Sequence, residues 1–180
     1  MSASLDPQYF FNSRHQPAPG QAYRGGWIDL AQDPSAAHRL IKLGISPRTD
    51  LPALTLTDAG GKVRLLALRL TPDEAARMAA GETVPAGEPI VFGAAWCPDT
   101  RKLRKLFERN GRSFREVNVD LDAPAEALVF ARSGGRRVTP TLLFDDRLWL
   151  FNPDPDLLER FTGGAAGTPG DVPAGARPEP

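Results

Sequence analysis

"PIVFGAAWCPDTRKLRKLF", residues 89–107, runs from an apolar stretch through the chain's one cysteine into a basic stretch with helical spacing. The apolar run 89–95 reads as a short buried strand. Pro98 sits where a helix tolerates proline, in its first turn. Leu103, Leu106 and Phe107 follow at helical spacing, and "NGRS" (110–113) ends the helix. Cys97 therefore falls at a strand-to-helix junction. Unpaired backbone N–H groups point there, and the helix macrodipole favours an anion. A thiolate in such a place has a lowered pKa and is the nucleophilic form. Arg101 and Lys102 add positive charge nearby, whereas the carboxylate of Asp99 opposes the effect. Thr100 stands where a Cys-x-x-Cys motif would have its second cysteine. About one helical turn from Cys97, its hydroxyl either hydrogen-bonds the thiolate or simply caps and fills. A free cysteine is often only a small buried hydrophobe; its place at the junction is what argues for chemistry.

Downstream, "FREVNVDLD" (114–122) alternates through Phe114, Val117, Val119 and Leu121 as a strand does. Pro124 opens a helix through about Arg132. "TPTLLF" and "RLWLF" flank Asp145–Asp146 as a hairpin. "DPDLLERF" (154–161) reads as a closing helix. The order βαβαββα predicts a right-handed parallel crossover followed by antiparallel strands.

The bulk properties exclude several classes. The chain has 180 residues, with 22 Lys and Arg against 22 Asp and Glu, so its formal net charge is zero. A nucleic-acid binder is expected to show a basic excess, so no nucleic-acid partner is expected. No apolar stretch approaches the roughly 18–20 residues of a membrane span, and the N-terminus lacks the pattern of a signal peptide. One cysteine and two histidines are too few for a structural zinc site. No metal is expected, and the expected location is the cytoplasm, where a lone thiol stays reduced.

The segment 88–162 resembles the glutaredoxins of the thioredoxin superfamily. The resemblance is carried by "FGAAWCPDT" (92–100), "RRVTPTLLF" (136–144) and the order of elements. "NPDPDLLERF" (152–161) is further similar to the closing stretch of the mycoredoxin type. The resemblance implies a cis-proline at Pro140, facing Cys97, with Thr139 before it as a backbone ledge for a bound thiol. It also implies Trp96 as a wall of the thiol site and polar contacts from the Arg136–Arg137 stretch, with Arg137 favoured. The candidate site is thus Cys97 as nucleophile, with Trp96, Pro98, Thr100, Arg101, Arg137, Val138, Thr139 and Pro140 around it. The chain departs from the family where a lysine commonly precedes the cysteine, since it has Gly93-Ala94-Ala95 there. It also lacks the glycine pair after the hairpin and the second cysteine. Pro98 and Asp99 disfavour the iron–sulfur cluster that some monothiol relatives hold.

Residues 21–87 echo the back half of the same fold. "GWIDLAQDPSAAHRLIKLGISPRTDLPALTLTD" (26–58) and "VNVDLDAPAEALVFARSGGRRVTPTLLFDD" (117–146) share the order strand, helix, turn, x-Pro and strand, with Pro52 matching Pro140. "GKVRLLALRL" (61–70) reads as a further strand. "TPDEAARMAA" (71–80) reads as a helix, with Thr71 as N-cap and Pro72 at N1. The expectation is a degenerate thioredoxin-like half-unit without its active-site strand and helix, packed on the second segment or paired between two chains.

The expected organisation is a flexible N-terminus at 1–20, a small α/β segment at 21–87, a thioredoxin-like α/β domain at 88–162 and a disordered tail at 163–180. Residues 80–89 have the composition of a linker. The expected function is monothiol thiol–disulfide exchange on protein or mixed disulfides. The resemblance implies that a low-molecular-weight thiol (glutathione, mycothiol or bacillithiol) replaces the second cysteine, with no bound cofactor. A thioredoxin-fold adaptor without turnover is the alternative. Nothing in the sequence fixes the oligomeric state.

Overall fold

The computed structural model describes residues 5–18, 20–82 and 86–162. The tail 163–180 and part of the 80–89 linker lie outside the described residues. The elements are β1 Asp6–Phe11, β2 Gly26–Asp29, α1 Ala36–Lys42, β3 Ala53–Thr57, β4 Val63–Leu68, α2 Pro72–Ala79, β5 Ile90–Gly93, α3 Pro98–Arg109, β6 Arg115–Asn118, α4 Ala123–Arg132, β7 Thr141–Phe144, β8 Leu148–Phe151 and α5 Pro155–Thr162. All eight strands join one sheet in the order β2-β1-β3-β4-β8-β7-β5-β6.

That order reads the same from either edge. β1 pairs parallel with β2 and antiparallel with β3, as β5 pairs with β6 and β7. Phe10 faces Ala53 just after Pro52, and Phe92 faces Thr141 just after Pro140. The two halves meet where β4 lies antiparallel to β8, with Leu66 opposite Trp149, Leu65 opposite Leu150 and Ala67 opposite Leu148. Within the halves, Thr55 faces Leu66 as Leu143 faces Trp149. Leu66 and Trp149 are therefore equivalent positions that also face each other, so a pseudo-twofold axis passes between them.

The helices cover both faces. Leu103 and Phe107 of α3, Met78 of α2 and Leu158 and Phe161 of α5 share one core with Leu65, Leu148 and Leu150. Leu40 of α1 and Val129 of α4 share the other with Leu66, Trp149 and Phe151. Because both faces are buried, the inner strands "LWLF" and "TLLF" show no alternation and are almost wholly apolar. Either half alone would expose such a strand as an apolar edge; pairing β4 with β8 removes that liability. Polar links cross the seam as well. Arg147 Nη2 bonds Glu74 Oε1 at 2.7 Å, and Arg132 Nη1 lies 3.4 Å from Asp50 Oδ2.

The structure corrects the expected N-terminus. Residues 6–11 form β1, between β2 and β3, with Tyr9, Phe10 and Phe11 buried. The first half therefore keeps the strand equivalent to β5 and lacks only the helix equivalent to α3. Pro7 is tolerated because pairing with β2 begins at Gln8. Tyr23, from the irregular stretch that replaces the helix, packs its ring 5.7 Å from Tyr9 and joins the core there. The expected α2 forms at 72–79 with Thr71 and Glu74 as a reciprocal capping box. There is also no break in the sheet between the segments expected as separate domains.

Candidate active site

Cys97 is the N-cap of α3 and follows the end of β5 by a turn in which its N–H bonds Ala94 O at 3.1 Å. Pro98 is the first helical residue, as its fixed φ and missing N–H favour. The side chain of Cys97 is 5% exposed and lies in the core with Phe92, Ala94 and Val119. The thiol donates to Thr139 O at 3.4 Å, and the peptide bond between Thr139 and Pro140 is cis. The predicted ledge and nucleophile are thus brought together.

Burial pushes the Cys97 thiol's pKa up. Donors open to a thiolate, from the Thr100 and Thr139 side chains and then the backbone N–H groups of Thr100 and Asp99, outweigh it, so the net shift is downward. Thr100 is fully buried, and its hydroxyl has no hydrogen-bond partner. A thiolate is the acceptor that this orphan hydroxyl lacks. Gly93 makes room for this residue: a Cβ there would come within 2.5 Å of Thr100 Cγ2. The opposing carboxylate of Asp99 is held by Lys102 Nζ at 3.0 Å.

The other expected site residues are placed differently. Arg101 Nη1 donates to Ala95 O at 3.3 Å and Trp96 O at 3.2 Å, so it braces the turn from behind. Trp96 is 62% exposed. Arg137 lies over its ring, 6.0 Å from the centroid, and is held there by Asp120 and by Glu126 at 3.2 Å. Two carboxylates therefore compensate the charge expected to meet a substrate carboxylate. Val138 packs against the core, and its carbonyl accepts from Thr141 Oγ1 at 2.8 Å. Arg136 turns away to Ser133 O, at 3.1 Å, and towards Val63 O.

A cavity of about 390 Å³ opens beside Pro140, lined by Leu103, Leu106, Leu158, Asn152 and, from the other half, Arg64. The sequence gives no local signal for Arg64, because the seam brings it there. No group of three or more His, Cys, Asp or Glu side chains that could hold a metal ion occurs among the described residues. No helix there is long and apolar enough to cross a membrane.

The equivalent place in the first half is built differently. The peptide bond between Leu51 and Pro52 is also cis. His15 N bonds Asn12 O at 2.9 Å, so His15 holds the position of Cys97, but its side chain is exposed. Leu51 O is met by Gln16 Nε2 at 3.4 Å, while Gln16 Oε1 accepts from Asn12 N at 3.0 Å.

Comparison with known proteins agrees with this architecture. The glutaredoxin family model matches residues 90–149. A protein named as a glutaredoxin in Mycobacterium tuberculosis (strain ATCC 25618 / H37Rv) is 29% identical over 66 residues, covering 37% of this chain and 79% of the relative. Glutaredoxin-C6 of Oryza sativa subsp. japonica is 27% identical over 70 residues, covering 38% of this chain and 62% of the relative. Residues 90–149 thus match the glutaredoxin model, which implies the thioredoxin-like fold for them. That likeness supports a function of the thiol–disulfide oxidoreductase kind.

Proposed function

We propose that this chain is a monothiol thiol–disulfide oxidoreductase of the cytoplasm. The Cys97 thiolate attacks one sulfur of a disulfide R–S–S–R′. The S–S bond breaks, R′–S⁻ leaves, and a mixed disulfide forms between Cys97 and R–S. A low-molecular-weight thiolate then attacks the sulfur carried by R and returns Cys97 as thiolate. Overall R–S–S–R′ and R″–S⁻ become R–S–S–R″ and R′–S⁻, so the external thiol takes the place of R′ in the disulfide, and no second cysteine is required. The substrates are protein disulfides or their mixed disulfides with small thiols. Thr139 and Pro140 offer the backbone edge along which the substrate lies, and Thr100 stabilises the leaving and resting thiolate.

The observation that carries this reading is the orphan hydroxyl of buried Thr100 in the first turn of the helix whose N-cap position Cys97 holds. Purified full-length protein with bis(2-hydroxyethyl) disulfide and, in turn, glutathione, mycothiol and bacillithiol tests it. Turnover with at least one thiol, lost in Cys97→Ser, is expected. Absence of turnover with all three would contradict it. The near-complete burial of Cys97 favours a second reading, binding without exchange. That reading requires partner retention by wild type and Cys97→Ser alike, with no turnover in either.

A further inference from the structure

The cavity beside Pro140 has an apolar floor of Leu103, Leu106 and Leu158 and a charged rim. Most of that charge is already committed. Lys102 and Asp99 pair with each other at 3.0 Å. Asp154 Oδ1 accepts from Leu157 N at 2.8 Å, which ties it to the start of α5. Arg64 is the least committed: its charge acts on Asp58, in the turn between β3 and β4, but it makes no ion pair among the described residues. Its Nη2 donates to Asn152 O at 2.5 Å, which anchors the guanidinium across the seam. Among the described residues no carboxylate lies within ion-pair distance of it. Arg137, the cation expected beside the thiol, is by contrast held by two carboxylates. A part-buried guanidinium with spare donors, facing a cavity next to the cis-proline, is suited to a carboxylate.

We propose that Arg64, a residue of the first half, determines specificity in the second by binding a carboxylate of the incoming thiol or disulfide. This rests on the assignment of Cys97 as nucleophile. The carboxylate belongs either to a small thiol or to an acidic side chain next to a client's disulfide, and the chemistry of recognition is the same. In the step concerned, Cys97 Sγ⁻ bonds to one sulfur of the disulfide and the other sulfur leaves as thiolate; Arg64 holds the carboxylate and exchanges no proton.

The test is the rate of adduct formation on reduced full-length protein, read by mass, with 3,3′-dithiodipropionate and with uncharged bis(2-hydroxyethyl) disulfide. The ratio of the two rates cancels any general damage to the fold. We expect Arg64→Gln to lower the anionic-to-neutral ratio about tenfold, and Arg64→Lys to restore most of it. A ratio that does not move in Arg64→Gln would overturn the proposal. Disulfide-linked peptides carrying Glu or Gln beside the cysteine identify the carboxylate's source. Sensitivity of the Glu-to-Gln rate ratio to Arg64 assigns it to a client, and insensitivity assigns it to a small thiol. A second measurement separates this proposal from the nucleophile itself. Calorimetric titration of 3,3′-dithiodipropionate into Cys97→Ser protein should show binding that weakens about tenfold when Arg64→Gln is added. Binding without exchange in wild type would overturn the role of Cys97 and keep the carboxylate site. Absent binding with Arg64 intact would overturn the carboxylate site, whatever Cys97 does.

Discussion

In one half of the sheet, the carbonyl before a cis-proline accepts from Cys97 Sγ at 3.4 Å; in the other, the equivalent carbonyl accepts from Gln16 Nε2 at the same 3.4 Å. The strands and prolines match, so what separates the two places is the helix. α3 aims backbone N–H groups at Cys97, and Thr100 adds a buried hydroxyl. The first half replaces the helix with an irregular stretch whose amides bond locally. Ser13 N and Ala31 N both donate to Asp29 Oδ1, at 3.0 and 2.9 Å. A neutral amide such as Gln16 satisfies itself with one donor and one acceptor, and an anion would find little there to hold it. The comparison teaches that the cis-proline loop is common scaffold and that the helix start is what sets the place of Cys97 apart.

The largest expected effect removes or transplants the nucleophile. Cys97→Ser should lower exchange turnover by roughly a thousandfold or more. A His15→Cys, Cys97→Ser double variant should stay equally inactive, because a thiol placed there has no helix behind it. Recovery of turnover in the double variant would break the comparison.

Next in size is the seam that makes the halves one body. Trp149 is 3% exposed and stacks between Phe92 and Phe151, at 5.8 and 6.5 Å. Trp149→Ala should cost about 3–5 kcal/mol. In urea the transition should remain single when followed by both far-ultraviolet dichroism and Tyr fluorescence. Two separate transitions would mean that the halves fold independently.

How much of this was legible differs between the halves for physical reasons. The second half carries a marker at each boundary. Examples are Pro98 and Pro124 in first turns, Gly111 with φ 62° after α3, and Asp145–Asp146 with φ 50° and 53° at the hairpin. The strand β1 has no such marker. "DPQYFF" opens with a charge and a proline, and its last three residues are buried on both faces, so no alternation shows. The placement of Cys97 at the start of α3 and the cis bond before Pro140 were readable because both are set by backbone position. The contacts of Arg137 were not, since the direction of a long side chain depends on Trp96, Asp120 and Glu126, which lie far from it in sequence. Arg64 reaches the cavity only because β4 pairs with β8, a register that no local pattern announces.

A smaller effect tests the polar link across the seam. Side-chain hydrogen bonding to Arg147, above all, holds the Glu74 carboxyl down at about 2 against an ordinary 4.5. A carboxylate whose folded pKa is depressed adds stability above its unfolded pKa and loses it as pH falls towards the folded value. Wild type should therefore lose roughly 1 kcal/mol more than Glu74→Gln between pH 5 and pH 2, after allowance for solvent screening. Urea midpoints at the two pH values check this, and equal losses would remove Glu74 from the account.

The most direct test of the central claim is the rate of Cys97 alkylation by iodoacetamide against pH, read by mass in wild type and Thr100→Val. The helix start and the Thr100 hydroxyl predict a wild-type midpoint below the free-cysteine value of about 8.5. Loss of the hydroxyl should raise that midpoint by about one unit. A wild-type midpoint at or above 8.5, or a thiol that reacts only when the protein unfolds, would show that Cys97 is a buried structural residue and contradict the account.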